Sequence, residues 1–366
     1  MERILIVKLS SIGDVVHALP VLRTIRHNLP DSYIAWIVEE RAMEILEGDK
    51  DIDKLIIINT KKWRKGLSLR GGTGAILKSF SEIFDIINIL RKERFDIAID
   101  LQGLIKSGVI SYLSGAKAII GFDSKNCREF LNIIFTNKKV SPKKEDSHVI
   151  DKNLSLLKPL DCKKIKREFF ISHSIKDDKY INDFLLKNRI NGKPIIAVNI
   201  GAGWRTKEWG IKNYAELCDR IVLEFGVNII LTWGPGEGNM VKGVKDSMKY
   251  KPFVAPPTTL KQLVSLLRRC AFFIGGDTGP LHIASALKIP TVAIYGPSDP
   301  LRNGPYGDNH IIIHKKLECS GCYKRSCDTI KCMKIISVDE VFSAIANQVS
   351  KYHSVRTSEH ITTLTV

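Results

Sequence analysis

The stretch Phe272–Pro300, FFIGGDTGPLHIASALKIPTVAIYGPSDP, constrains this chain more than any other. It begins with a short apolar run, Phe272 to Ile274, which reads as a buried strand. Gly275, Gly276, Asp277, Thr278 and Gly279 break the run. Pro280 then sits where a first helical turn tolerates proline, and Leu281 to Leu287 complete a helix. A second apolar run, Thr291 to Tyr295, ends in Gly296–Pro297. Strand, glycine turn, helix, strand is a βαβ unit, and its turn leaves backbone N–H groups where a phosphate can sit. The spacing matches neither GxGxxG nor the P-loop. The same residues also suit an ordinary βα turn, so the pattern by itself leaves site and scaffold open.

A βαβ unit needs a larger sheet around it, and the chain is long enough to supply one. Its 366 residues, 44% hydrophobic and 26% charged, suffice for one large domain or two ordinary ones. No apolar run approaches the roughly 18–20 residues that span a bilayer. The run Arg3–Leu9 passes straight into polar residues, unlike a signal peptide. A cytoplasmic protein, not integral to a membrane, is the expectation. The net charge of +17 is uneven: residues 61–145 hold 17 Lys and Arg against 8 Asp and Glu, whereas residues 1–60 are net −3. Such a block fits a phosphorylated substrate, an anionic membrane surface, nucleic acid, or simply a solvated face. Aromatic residues are only 8% of the chain and Trp63 stands nearly alone in the block, which argues against a stacking platform for single strands.

The N-terminal half opens as a doubly wound α/β fold. Arg3–Leu9 reads as a strand, Ser10 to Asp14 as a turn, and Val15 to Asn28 as a helix in which Pro20 marks a kink or a late start. Asp14 either caps that helix or serves as a general base at the carboxyl edge of the sheet. Tyr33–Val38, Leu55–Ile58, Phe95–Leu101 and Ala118–Phe122 read as further strands, with Phe169–Ser172 closing the half. Residues 60–80, basic and glycine-rich, read as an exposed loop over a site, ahead of a helix from Ile83 to Arg94. A polar segment with one helix, Asp177 to Arg189, marks the domain boundary. The pattern then restarts with strand Ile195–Ile200, turn Gly201–Gly203, helix Tyr214–Phe225, strand Asn228–Thr232, turn Gly234–Gly238 and helix Leu260–Cys270. Val338 to Tyr352 is a final amphipathic helix, and the tail from His353 is polar.

Four motifs in order give these elements a family. KLSSIGDVVHALPVLRTI at Lys8–Ile25, DLQGLIKS at Asp100–Ser107, WRTKEW at Trp204–Trp209, and GGDTGPLHIASAL at Gly275–Leu287 followed by YGPSDP resemble the ADP-heptose:lipopolysaccharide heptosyltransferases. DLQGLIKS is most similar to the first heptosyltransferase, which adds heptose to Kdo. The resemblance implies the GT-B fold, α/β, with two Rossmann-like domains whose parallel sheets face across a cleft. Residues 1–175 would bind the acceptor, 176–192 link, and 193–336 bind the nucleotide sugar. Residues 337–352 would form a helix packing back on the N-terminal domain, and 353–366 a tail. It implies an inverting, metal-independent transfer from ADP-L-glycero-D-manno-heptose to Kdo-lipid A on the cytoplasmic face of the inner membrane. The second heptosyltransferase, a transferase of another nucleotide sugar, and a non-catalytic binder of anionic polymer are the alternatives. No nucleic-acid partner is expected.

The chemistry of such a transfer suggests roles. One carboxylate takes the proton of the attacking hydroxyl, and Asp14 matches the family's base. Fixed donors and cations hold the departing diphosphate. Lys207 matches the family lysine at the phosphates, with the backbone of Thr278 and Gly279, and His282 on the same helix, as further donors. Asp277 either binds sugar hydroxyls or orders the turn. Glu237 matches a ribose ligand, and Ser10, Gly13, Ala202 and Gly203 allow close backbone approach. For the anionic acceptor, Ser11, Gly13, Arg64, Lys65, Lys106 and Arg128 are the candidates, arginine suiting carboxylate and phosphate bidentately. The cluster Cys319, Cys322, Cys327 and Cys332 is dense enough for a structural zinc or iron–sulfur site, but its spacing is not that of a standard zinc pair of pairs, and reduced or redox-labile thiols are the alternative. Catalysis would need no cofactor.

Overall fold

The apolar runs of the first half form one parallel sheet. Its strands are β1 (Arg3–Val7), β2 (Tyr33–Glu39), β3 (Lys54–Ile58), β4 (Ile97–Asp100), β5 (Ala118–Phe122) and β6 (Lys138–Val140). They lie in the order β3-β2-β1-β4-β5-β6, every pair parallel. The runs are near-continuous in Ile, Leu and Val because helices cover both faces of such a sheet. Ile4, Leu5, Ile6 and Val7 are fully buried. Burying a side chain of this kind is worth about 1.5–3 kcal/mol. The computed structural model describes residues 1–67 and 72–348 and divides into two units between Ser172 and His173.

The second unit repeats the plan. Strands β7 (Ile195–Asn199), β8 (Asn228–Thr232), β9 (Phe253–Val254), β10 (Phe272–Gly276), β11 (Thr291–Tyr295) and β12 (His310–His314) lie in the order β12-β11-β10-β7-β8-β9. Read from the other edge, this is the order of the first sheet. In each unit the winding reverses between the first and fourth strands, and that reversal opens a crevice at their carboxyl ends. Register makes the crevices concrete: Val7 lies opposite Asp100, and Asn199 lies opposite Gly275.

Several local elements differ from the sequence reading. The first helix is two, Ile12–Val16 and Leu19–Asn28, with Pro20 in the opening turn of the second. Residues 60–80 are not a loop among the described residues: helix Thr60–Gly66 is followed by helix Gly72–Lys92, and residues 68–71 lie outside the description. Asn59 starts the first of these by accepting the Lys62 N–H at 2.9 Å. Segment 176–192 is no free linker. Its helix, Ile175–Lys187, is anchored in the second unit, where Ser265 donates to Asp178 at 2.6 Å and Tyr180 to the Pro257 carbonyl at 2.9 Å. Phe169–Ser172 is not a strand.

The final helix also has a different neighbour. Residues 338–348 are helical, and Val338, Val341 and Ile345 are buried in the core of the second unit with Ile221, Ile294 and Met333. Phe342 stacks on Phe225 at 5.9 Å between ring centroids. The apolar face of this helix is thus spent within the core of the second unit. The rest of that helix and the expected tail, 353–366, lie outside the described residues.

Candidate functional site

The first crevice is built by the loops after β1 and β4. Asp14 lies in the first turn of Ile12–Val16 and caps it: Oδ2 accepts the Ser11 N–H at 2.8 Å and the Ser11 hydroxyl at 3.2 Å. Arg128 Nη1 approaches the same oxygen at 3.5 Å. All three contacts fall on Oδ2, and the side chain remains 21% exposed. Burial pushes this carboxyl up, but Lys8, Arg128 and the two Ser11 donors outweigh it and hold it below the usual carboxylate range. Lys8 itself is buried, its Nζ donating to the Leu101 carbonyl at 2.7 Å.

DLQG positions this loop and brings Arg128 to it. Asp100 is fully buried and accepts from Gln102 N, Gly103 N, Ser107 Oγ and Asn132 Nδ2 at 2.7–3.1 Å. Burial still raises its carboxyl, because every one of those donors is neutral. Gln102 Oε1 accepts the N–H groups of Leu9 and Ser10. Gly103 has φ +65, and a Cβ there would press within 3.2 Å of Arg128 N. The Gly103 carbonyl receives Arg128 N and Glu129 N, both at 3.0 Å, so this glycine fixes where Arg128 starts.

The remaining basic acceptor candidates lie in the same unit but form no ion pair with Asp14 among the described residues. Lys106 Nζ lies 3.4 Å from buried Glu39, which also accepts from the Thr60 backbone and hydroxyl. Arg64 and Lys65 are exposed in the last turn of Thr60–Gly66 and have no ion pair among the described residues. Gly13 is buried within its short helix.

The second crevice lies at the loops after β7 and β10. Asp277 is 6% exposed and Lys207 is 9% exposed, and the two form an ion pair. His282 Nε2 lies 3.1 Å from Asp277 Oδ1, and Asn303 Nδ2 donates to that oxygen at 3.0 Å. Burial would raise this carboxyl, yet His282 and Lys207 together hold it far below the carboxylate range. This network ties Asp277 to the Lys207 turn, to the helix Gly279–Ala286 and to Asn303. Thr278 starts the helix Gly279–Ala286, and its hydroxyl reaches Asn199 Oδ1 at 3.2 Å, tying the β10 loop to β7. Glu237 leans over Gly201 and accepts the Gly234 N–H at 2.7 Å. Ala202 is partly exposed, and Gly203 faces open space.

Some residues escaped the sequence reading. Asn303 and Tyr323 belong to the Asp277 network, Tyr323 donating to Asn303 Oδ1 at 3.3 Å. The Trp204 ring meets two cations, Lys207 Nζ at 4.1 Å and the Arg325 guanidinium at 5.2 Å from its centroid. Nothing local in sequence links Asp277 to Asn303 and Tyr323, or Trp204 to Arg325. The cysteines do not assemble as a metal site. Cys332 is raised by burial and then by the proximity of Cys319 and Cys322, while Cys327 is exposed beside Thr329. Among the described residues no three ligands are placed to hold a metal ion. No described helix is long and apolar enough to cross a membrane.

Comparison with known proteins places this arrangement. The family described as glycosyltransferase family 9 (heptosyltransferase) matches residues 83–333. Lipopolysaccharide heptosyltransferase 1 of Pseudomonas aeruginosa is 28% identical over 333 residues, 89% of this chain and 87% of that protein. Its namesake from Escherichia coli K12 is 30% identical over 318 residues, 86% of this chain and 94% of that one. Among solved structures, E. coli heptosyltransferase WaaC with ADP superposes with a TM-score of 0.73 at 26% identity, covering 94% of this chain and 99% of the other.

Proposed function

The chain belongs to glycosyltransferase family 9, the heptosyltransferases, and from that membership we propose that it moves heptose from ADP-L-glycero-D-manno-heptose to a Kdo sugar of Kdo-lipid A, with inversion. It is a transferase of lipopolysaccharide core assembly. The observation that carries the finer reading is Asp14: an ionised carboxylate at a switch point, with its contacts on one oxygen and Arg128 beside it.

In this reading the acceptor hydroxyl attacks C1 of the heptose. The new C1–O bond forms as the bond from C1 to the β-phosphate oxygen breaks, and that electron pair leaves with ADP. The hydroxyl proton passes to Asp14 Oδ1. A carboxylate held below its usual range is a weak base, so the transfer occurs late, as the attacking oxygen gains positive charge. Lys207 and the backbone N–H groups of Thr278 and Gly279 meet the departing diphosphate in this metal-independent reading. Glu237 takes the ribose, and Arg64, Lys65, Lys106 and Arg128 take the anionic acceptor.

A lipid acceptor brings the enzyme to the cytoplasmic face of the inner membrane. Helix Gly72–Lys92 supports this, because it has two apolar stripes where a surface helix has one. Ile86, Ile89 and Leu90 turn inward, whereas Leu77, Phe80 and Phe84 are 70%, 58% and 64% exposed. Sedimentation with phosphatidylglycerol vesicles checks this part, and a Leu77→Ser, Phe80→Ser, Phe84→Ser variant that still binds them would remove it. The reaction is tested by mass spectrometry of transfer from ADP-heptose. Acceptors ending in Kdo are expected to react. Transfer only to acceptors that already carry heptose would reassign the chain to the second heptosyltransferase step.

A further inference from the structure

We infer that Arg325 binds the β-phosphate of the donor and stabilises the diphosphate as it leaves, delivered there by the cysteine-bearing segment. The inference rests on the reading that the β7 and β10 loops hold a nucleoside diphosphate. It starts from a charge deficit. Lys207 is the cation assigned to the phosphates, but it is buried against Asp277, so its charge is already answered within the protein. A leaving diphosphate gains negative charge as the sugar departs, and a neutralised lysine alone offers it little.

Arg325 supplies what is missing. Its guanidinium lies over the Trp204 ring, the same ring that Lys207 meets. Two cations sharing one indole repel each other, and the carboxylate beside them answers only Lys207. Arg325 has no ion pair among the described residues. The Trp204 Nε1 donor is buried and makes no hydrogen bond among them, although nearly all buried donors in proteins are paired. An exposed guanidinium with no ion pair among the described residues and a buried indole N–H with no partner, on one residue pair, describe a place for an anion. A planar guanidinium that stacks on an aromatic ring while presenting paired N–H groups suits a phosphate better than an ammonium does.

The position of Arg325 is fixed from both sides of the crevice. The Thr206 hydroxyl, in the same turn as Lys207, donates to the Lys324 carbonyl at 2.7 Å. Tyr323 N donates to the Pro297 carbonyl at 3.0 Å, and its hydroxyl accepts the Asp299 N–H at 3.2 Å. The same hydroxyl donates to Asn303, which holds Asp277. Residues 323–325 are therefore strung between the Lys207 turn and the Asp277 network. That gives the segment between Cys322 and Cys327 a purpose that requires no metal.

Calorimetric titration with ADP and with AMP tests the inference, because only ADP carries the β-phosphate. Arg325→Ala is expected to weaken ADP about tenfold or more while AMP changes by less than about twofold. Arg325→Lys should fall between, keeping the charge but losing the planar fork. In turnover, kcat should drop more than KM rises, since the contact strengthens as charge develops. Equal weakening of ADP and AMP would make Arg325 a merely structural residue and overturn the inference, as would unchanged ADP affinity. Wild-type protein that binds no adenine nucleotide would remove the donor reading and this inference together, so the two failures are distinguishable.

Discussion

Asp100 and Asp277 sit at the end of the fourth strand of their respective sheets, each buried and each saturated with hydrogen bonds. Across the switch point, the loop after the first strand carries the side chain assigned to chemistry, Asp14 in one unit and Lys207 in the other. The two crevices share this division between a buried anchor and a working group. They differ in what surrounds the anchor. Asp100 receives only neutral donors, and its carboxyl is raised; Asp277 receives Lys207 and His282, and its carboxyl is lowered. The same scaffold position thus organises a loop in one unit and holds a cation in place in the other.

Asp14→Asn gives the largest expected effect and separates the working group from its anchor. Asparagine keeps an oxygen for the Ser11 cap, so thermal stability should change by less than about 1 kcal/mol. Transfer should fall by about 10²–10⁴-fold, the usual worth of a positioned base. Steady-state assays with ADP titration alongside check both halves, since nucleotide affinity should survive. Near-normal turnover in a folded Asp14→Asn protein would reduce Asp14 to a helix cap.

The anchors themselves are compared by Asp277→Asn and Asp100→Asn. The first leaves buried Lys207 and His282 without their carboxylate and should cost the second unit about 3–5 kcal/mol. The second faces neutral donors and should cost about 1–3 kcal/mol. Their pH dependences have opposite signs. Because the folded Asp277 carboxyl is depressed, the unfolded chain binds more protons, so its stabilisation is present above the unfolded value of about 3.9 and is lost as pH falls below it. The folded Asp100 carboxyl is raised, so the native state binds more protons, and stability gains as pH falls towards about 4 from above. Urea unfolding across this range, wild type against each variant, reads both slopes. Equal slopes for the two variants would break the contrast.

This contrast shows where sequence reasoning reached and where it stopped. The strands were legible because parallel strands covered on both faces are nearly continuous Ile, Leu and Val. The switch-point residues were legible because glycine turns interrupt those runs. Thr60–Gly66 was misread because its Lys and Arg residues and following glycines look like a loop, while the features that make it helical are the Asn59 cap and packing of Gly66 against Ser79. The final helix was legible as amphipathic, but its apolar stripe shows that a face is buried, not against what, and here Val338, Val341 and Ile345 enter the core of the second unit. The Asp277 network draws on Asn303 and Tyr323, and Arg325 on Trp204, pairs joined only by the fold. No periodicity reports such contacts.

The smallest effect concerns the floor of the second crevice, where Gly201 and Gly203 stand two residues apart in one turn. A Cβ at Gly201 would overlap the Glu237 carboxylate, whereas one at Gly203 meets nothing within 4 Å. The Glu237 side chain is flexible and can swing aside, so Gly201→Ala should cost stability no more than about 1 kcal/mol. Swinging aside, however, removes the carboxylate from the Gly234 N–H and from the place where a ribose would meet it. Loss of one such hydrogen bond is worth about 1 kcal/mol, so ADP should bind roughly fivefold more weakly to Gly201→Ala and within about twofold of normal to Gly203→Ala. Adenosine should lose as much as ADP, because the effect lies at the ribose, and this separates Glu237 from a phosphate ligand. Equal behaviour of the two alanine variants would mean that Glu237 packs over Gly201 without touching the nucleotide. The donor site would then rest on the Lys207 and Asp277 loops alone.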